Sequence, residues 1–296
     1  ESVFSAPNDL DAQLKRMHLD PMRPFFYSQH RWIPGTYLAD EEMWGEDYGT
    51  SHKVLPRYPN CVAFQGHTHY MLTDARCVWI GDFIAVYNGA LQSQFPARMR
   101  ENGLDIFWYK DDYMRKTQMP CVDGWRGHTG MVMRVYDKLI VLERRDFGTD
   151  LPLGPDLVFS TDLKLRPRYR DASRKAASVA PEFASGAKAT AVTRMGKDRQ
   201  GHPTEQVVVT FPTVKEMGKR PRAYEYFVRA EKMDGTLLKE KRVYPPGINL
   251  PESLEGSMST CVFSKAEIAA DGPVRFVVRP ANCWGVLGRP ISVSNV

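Results

Sequence analysis

The sequence has few cysteines, no closely spaced pair of them, and no long apolar run. Its five cysteines are Cys61, Cys77, Cys121, Cys261 and Cys283. None forms a CxxC motif, which argues against a zinc ribbon or a thioredoxin-like site. Because five is odd, complete pairing is impossible; either Cys261 and Cys283 form one bridge, or the cysteines are small buried side chains. No stretch reaches the roughly 18 apolar residues of a membrane-spanning helix, and no signal peptide is visible.

The chain carries only a small excess of positive charge. The formal net charge is +5, and without a basic stripe this charge does not indicate nucleic-acid binding. It is compatible with a substrate that carries phosphate, although many proteins without such a substrate share it. With 296 residues, of which 43% are hydrophobic and 25% charged, the composition is typical of a folded protein of about two domains.

The first 160 residues are predicted to form a mixed α/β domain. Asn8 or Asp9 can cap a helix that continues to about residue 18. Leu10, Leu14 and Met17 share its predicted buried face. The other predicted elements are a short helix near residues 51–58, strands at 25–28, 61–64, 78–80 and 83–87, and a hairpin with strands 130–136 and 139–144.

The second half of the chain changes character twice. Apolar periodicity fades over residues 161–180, which are predicted to link two domains. The basic residues of this stretch are interpreted as a solvated linker, with binding to an anionic surface as the alternative. Residues 181–296 are predicted to form an all-β sandwich. Its predicted strands cover residues 187–193, 206–211, 223–231, 239–244, 259–263 and 274–280.

Two histidines follow the second buried strand, in the motif Gly66-His67-Thr68-His69. We expect Gly66 to allow a close backbone approach or a positive φ. His30 also follows a short buried strand. Because neighbouring strand ends on one edge of an α/β sheet lie together, we expect the three histidines to converge. Neutral imidazole is a common metal ligand, so this pattern predicts a metal site.

Several residues near the predicted metal site are candidates for substrate contacts. Arg31 and Trp32 directly follow His30, and Asn88 follows the fourth predicted strand. Tyr37 and Trp44 could line the same cleft. For the aromatic residues the alternative is packing, and for Asn88 it is a turn.

The other four histidines are expected to stand apart from the site. His52 precedes the second strand and is interpreted as a surface residue, with a substrate contact as the alternative. His128 lies between glycines at a strand start, which turn chemistry explains. His18 and His202 are expected to be exposed.

The order and spacing of these motifs resemble the calcineurin-like metallophosphoesterases. The matching pieces are a strand and histidine at 25–30, a strand and Gly-His-x-His at 60–69, an Asn-Gly turn at 88–89, and a hairpin at 128–146. The resemblance implies the C-terminal half of a four-layer α/β/β/α sandwich. It further implies a hydrolase of phosphate mono- or diesters that uses two divalent or trivalent ions of zinc, iron or manganese.

The same resemblance assigns the ligands. His30 and His67 would bind one metal ion, and His69 would bind its partner. In that family, Asp-x-His, Gly-Asp-x-x-Asp and Gly-Asn-His-Asp/Glu motifs supply carboxylate and asparagine ligands, and none precedes His30 here. Three imidazoles cannot neutralise two dications, so we expect this chain alone to be inactive and the natural protein to be longer at its N-terminus. The alternatives are a binding or scaffold protein without catalysis, and a one-metal hydrolase built on the three histidines.

The last 116 or so residues, 181–296, resemble a fibronectin type III-like or immunoglobulin-like sandwich. The resemblance rests on the apolar alternation at 224–230 and 274–280 and on the closing segment 282–285. The sandwich is expected to act as a spacer or cover, or alternatively to bind a protein or carbohydrate partner. Such sandwiches are frequent in exported enzymes, which favours a periplasmic or secreted location.

Overall fold

The computed structural model describes residues 9–36, 47, 49–67, 69–91, 128–198 and 201–294. These residues divide into two compact units, the first ending at Ala177 and the second beginning at Ser178. Strands account for most of the regular structure in both units. Among the helices in these ranges, none has the length and apolar character required to cross a membrane.

A small, mainly parallel sheet forms the centre of the first unit. Its strands β1, β2 and β4 run parallel, and β3 pairs antiparallel with β4. The order across the sheet is β1-β2-β4-β3. All four strands were predicted, because short apolar runs bounded by turn residues are typical of buried strands. Their bounds are β1 (Phe25–Ser28), β2 (Cys61–Gln65), β3 (Val78–Ile80) and β4 (Ile84–Tyr87).

Two helices cover one face of this sheet. Helix α1 (Leu10–Arg16) buries Leu10 and Leu14 in a cluster with residues of β2 and of α2 (Thr50–Val54). A 3-10 helix, Leu55–Arg57, extends α2, as predicted. The prediction was wrong for Met17, which is 64% exposed because the helix ends one residue earlier.

A second, antiparallel sheet faces the other side. Strand β6 pairs with β5 along one edge and with β7 and β8 along the other. Ile140, Leu142 and Phe159 of this sheet share a buried cluster with Val62 and Val86 of the first sheet. The predicted hairpin is confirmed as β5 and β6. The bounds are β5 (Thr129–Val135), β6 (Leu139–Asp146), β7 (Leu151–Pro152) and β8 (Leu157–Ser160).

The predicted solvated linker over residues 161–180 is wrong for most of its length. A 3-10 helix, Arg166–Tyr169, and α3 (Asp171–Ala177) belong to the first unit. Arg166 is 3% exposed, and its guanidinium donates to the Pro59 carbonyl and the Asn60 side chain. Arg174 Nη1 donates to the Val78 carbonyl at 2.6 Å. These arginines therefore fasten the segment to the sheet instead of facing water.

The second unit consists of two antiparallel sheets. One has the order β13-β10-β9 and the other β12-β11-β14-β15. The six predicted strands are all present, and β15 was not predicted. The bounds are β9 (Thr190–Lys197), β10 (Pro203–Pro212), β11 (Glu225–Lys232), β12 (Leu237–Val243), β13 (Met258–Ser264), β14 (Val274–Ala281) and β15 (Ile291–Ser294).

Aromatic pairs connect the two sheets of the second unit in one core. Phe211 packs edge-on against Tyr226, with ring centroids 4.8 Å apart. Phe263 packs against Phe276 at 5.5 Å. Cys261 belongs to the same buried cluster.

The alternative of a disulfide between Cys261 and Cys283 is not realised. Neither cysteine is in a disulfide, and the first is buried and the second half-buried. Cys61 and Cys77 are free and buried, as expected for small apolar side chains. Cys121 lies outside the described residues.

A buried carboxylate lies in the connection between β12 and β13. The Glu255 side chain is 0% exposed, and one of its oxygens lies 3.2 Å from Lys215 Nζ. Among the described atoms, its other oxygen has no hydrogen-bond partner. Burial, opposed by the positive charges of Arg222 and Lys215, raises the pKa of Glu255 to about 7.

Replacing Glu255 by Gln is expected to remove a pH dependence from the stability of the second unit. Between pH 4.5, its ordinary pKa, and about pH 7, the Glu255 carboxyl stays protonated in the folded chain. In the unfolded chain it has lost this proton. Stability therefore falls as pH rises through this window, by about 1–3 kcal/mol at 1.36 kcal/mol per pKa unit. Urea unfolding near pH 5 and near pH 8 measures this loss, which should be smaller in the variant.

The exposed Glu205 provides a matched control, since its side chain is 45% exposed. Glu205→Gln should leave the difference between the two pH values unchanged. If Glu255→Gln behaves like this control, Glu255 titrates normally and the pKa assignment is wrong.

Candidate metal centre

Three chain segments leave the parallel sheet side by side at its carboxyl edge. Beyond the end of β1, the Gln29 amide donates to the Phe64 carbonyl at 3.0 Å. The Gly66 amide donates to the His30 carbonyl at 3.1 Å, and the Asn88 amide donates to the Gln65 carbonyl at 3.0 Å. The hydrogen-bonded ladder thus continues past all three strand ends, which brings the segments after β1, β2 and β4 together.

His30 and His67 meet at this edge. The distance between His30 Nε2 and His67 Nδ1 is 2.8 Å, and the rings meet edge-on with centroids 4.8 Å apart. Partial burial, followed by the charges of His30, Arg31 and His69, holds the pKa of His67 below its ordinary value. His69 therefore lies close enough to His67 to act on its charge. The sequence placed these three histidines together, and the structure brings the first two into direct contact.

The backbone of the motif is strained at the histidines. His67 has φ 69° and His69 has φ 52°, both in the left-handed region that residues with a side chain seldom occupy. Such conformations cost about 1–3 kcal/mol each and are concentrated at functional sites. The expectation for Gly66 was wrong: its φ is not positive, and an added Cβ would meet only the His30 carbonyl oxygen, at an ordinary 3.5 Å.

The pair His30–His67 fits one metal ion. Neutral ring nitrogens bind metals, and the lowered pKa of His67 favours the neutral ring. Two nitrogens bound at 2.0–2.1 Å around a tetrahedral zinc lie about 3.3 Å apart, so the rings would separate by about 0.5 Å from their present 2.8 Å. The described residues contain no group of three or more His, Cys, Asp or Glu arranged for a metal ion. Within the described residues, therefore, neither His69 nor a carboxylate joins the pair to make a group of three.

A buried polar network holds the loop that follows His30. The Gln65 side chain accepts from the Ile33 amide at 2.6 Å and donates to Thr36 Oγ1 at 3.1 Å. Thr36 Oγ1 also lies 3.0 Å from the Tyr87 hydroxyl. Gln65 and Thr36 are 0% exposed. Side chains at the ends of β2 and β4 therefore hold the loop through buried hydrogen bonds.

The three predicted substrate residues have different surroundings. Arg31 is half-buried and acts electrostatically on His67, so it lies beside the histidine pair. Asn88 is exposed at the same sheet edge. Trp32 is 4% exposed and belongs to the core between the two sheets, so its role is packing. Tyr37 and Trp44 lie outside the described residues.

The remaining histidines are structural or exposed. His52 is half-buried, contrary to the prediction of a surface residue: its Nδ1 lies 2.7 Å from the Pro34 carbonyl, and its ring packs against Trp79 and Phe83. His128 is exposed and lies 2.6 Å from the Leu91 carbonyl. His18 and His202 are exposed.

Sequence reasoning missed a set of polar residues that surround the His30 turn. The Gln29 side chain contacts Arg31, Asp47 and Ser51, although these residues lie up to 22 positions away. The only local signal was a glutamine directly after a buried strand. A glutamine also ends β2, at position 65.

Comparison with known proteins returned no match for this chain: no family model matches it, and no curated protein matches it. A function is therefore inferred from the residues at the carboxyl edge of the parallel sheet.

Replacing His30 by Ala is expected to raise the pKa of His67. Burial would still depress it, but the repulsion by His30, the next largest cause, would be gone. An NMR titration of the His67 ring measures the change, and His202→Ala in the second unit is the control. The pKa of His67 in the folded chain is below 6.5, so as pH falls the unfolded chain protonates this ring first. Protonation of His67 therefore lowers the stability of the first unit in acid. An unchanged His67 pKa in His30→Ala would contradict the contact.

Proposed function

We propose that the first unit contributes the histidine ligands of a dinuclear metal centre that hydrolyses phosphate mono- or diesters. The observation that carries this proposal is the 2.8 Å approach of His30 Nε2 to His67 Nδ1 at the carboxyl edge of a parallel sheet, where α/β folds build their sites. The left-handed backbone at His67 and His69 supports it, since such strain persists mainly at functional positions.

Each residue has a distinct role in this proposal. His30 and His67 hold one ion through neutral ring nitrogens, and His69 holds its neighbour. Arg31, beside His67, attracts the phosphate oxygens and orients the ester, and Asn88 contacts the substrate from the end of β4. When bound, the two ions supply Lewis acidity toward a phosphoryl oxygen and acidify the attacking water. Imidazole ligands suit zinc and iron, whereas manganese prefers carboxylate oxygens.

The centre requires carboxylates in addition to these histidines. Two dications close together need negative ligands, and we propose that these come from outside the described residues. If they are lacking, the three histidines leave two other functions: a one-metal hydrolase, or a binding protein without catalysis. Metal stoichiometry separates these alternatives.

The fold proposal follows the same resemblance. Helices on one face of the parallel sheet and a second sheet on the other support three layers of an α/β/β/α metallophosphoesterase sandwich. For the second unit, sheets ordered β13-β10-β9 and β12-β11-β14-β15 support a fibronectin type III-like domain, which has three and four strands in this arrangement.

Replacing His30 or His67 by Ala is expected to weaken binding of cobalt(II) to this chain by at least about tenfold, because each change removes a ligand of the same ion. Titration followed by visible absorption measures both affinity and stoichiometry. His202→Ala removes a histidine that is 73% exposed in the second unit and should leave the affinity unchanged. Equal affinities for all four proteins would exclude the site.

In the protein isolated from its natural source, His67→Ala is expected to lower kcat for p-nitrophenyl phosphate or its diester by at least about a hundredfold. The metal supplies several kcal/mol of transition-state stabilisation, and 1.36 kcal/mol corresponds to a factor of ten. The control is again His202→Ala. Wild-type protein that binds metal but hydrolyses neither ester would favour the binding protein.

A further inference from the structure

The turn that carries His30 is spanned by the side chain of the preceding residue. Gln29 Nε2 donates to the Arg31 carbonyl at 2.7 Å, so the amide of residue 29 bridges across residue 30. The Gln29 backbone amide bonds to Phe64, which fixes the start of the bridge to β2. Gln29 lies directly after β1, and His30 lies in the bend that follows.

The Gln29 side chain also enters a closed set of hydrogen bonds with two fully buried residues. Its Nε2 lies 3.3 Å from Asp47 Oδ2, and its Oε1 accepts from Ser51 Oγ at 2.5 Å. Asp47 also accepts from the backbone amides of Gly49 at 2.7 Å and Ser51 at 3.1 Å. Asp47 and Ser51 are 0% exposed.

This set leaves Gln29 only one orientation. Both hydrogens of its amide are used, one by Arg31 and one by Asp47, and its oxygen takes the Ser51 hydroxyl. A flipped amide would place its oxygen against two acceptors, the Arg31 carbonyl and the Asp47 carboxylate. The Asp47 backbone amide donates a hydrogen bond to the Trp32 carbonyl at 3.1 Å. The network is therefore attached to the chain on both sides of His30, at Gln29 and at Trp32.

We infer that Gln29, held by Asp47 and Ser51, is the positioning residue that aims the His30 imidazole at His67. This inference rests on the proposed function, in which the His30 imidazole is a metal ligand, and it identifies Gln29 as the residue that orients this ligand. Removing a hydrogen-bond partner of a ligand side chain typically changes metal affinity by about 10–100-fold. Gln29 instead holds the backbone next to His30, so we expect an effect at the lower end of this range. Gln29 touches neither metal nor substrate; it acts through the backbone of residues 30–31.

The test replaces Gln29 by Met, which has similar length but no amide. Gln206→Met is the matched control: Gln206 is a buried glutamine, 8% exposed, whose Nε2 also donates to a backbone carbonyl, that of Lys197, at 2.9 Å. Ser51→Ala is a milder second variant that removes only the hydroxyl donor to Gln29, in case the first fails to fold.

Two measurements are made on each folded variant of this chain. The first needs no metal: NMR of the histidine ring nitrogens reports whether His30 Nε2 and His67 Nδ1 remain hydrogen-bonded. The second is the affinity for cobalt(II). Gln29→Met should abolish the NMR signature of the hydrogen-bonded pair and lower the affinity for cobalt(II) about tenfold or more. Ser51→Ala should have both effects to a smaller extent. Gln206→Met should change neither the ring signals nor the affinity.

The outcomes separate this inference from the proposed function. If the ring signals of His30 and His67 are the same in Gln29→Met as in the wild type, the positioning role is wrong, whatever happens to cobalt(II). If the wild-type chain binds no cobalt(II), the metal centre is wrong, and the ring measurement still decides whether Gln29 orients His30. Loss of the bonded pair in Gln206→Met as well would show a general loss of packing and overturn the inference.

Discussion

The backbone hydrogen bond from the Gly66 amide to the His30 carbonyl is the contact on which the candidate site depends. It extends the parallel pairing of β1 with β2 beyond the ends of both strands. Because parallel strands run in one direction, their carboxyl ends meet at one edge, and residues that follow them lie next to each other. The contact between His30 and His67 follows from this pairing. The polar networks around Gln65 and Gln29 then hold the loops that the pairing brings together.

The sequence was sufficient for the parts of the fold that depend on local apolar pattern. Strands such as β2 and β4 are almost fully buried, so they appear as short uninterrupted apolar runs, and their ends differ from prediction by one residue. The convergence of His30 and His67 could also be predicted, because it requires only that two strand ends share one edge. The four-layer and fibronectin type III-like assignments stay proposals.

Other features could not be predicted because they depend on side chains distant in sequence. Asp47 and Ser51 reach Gln29 from the region before and within α2, and no periodicity announces such a contact. The basic stretch at 161–177 has the composition of a linker, yet Arg166 binds a backbone carbonyl just before β2 and Arg174 binds one in β3. Trp32 is an aromatic residue beside the predicted site and was expected to contact substrate, but it lies in the core. In each case the residue type suggested one environment, and contacts with residues distant in sequence determined another.

Among the described residues of the first unit, ionic strength should distinguish exposed from buried arginines. On the outer face of the second sheet, Arg134 and Arg145 pair with Glu143, and the Arg134 side chain is 43% exposed. Mobile ions screen such surface pairs. Arg166 is instead buried among neutral oxygens, and that burial, reinforced by the charge of Arg170, lowers its pKa to about 10, so it stays charged at neutral pH. The Arg166 bonds are buried, so concentrated electrolyte would loosen the outer face of the hairpin while the 3-10 helix Arg166–Tyr169 stays attached to the residues before β2.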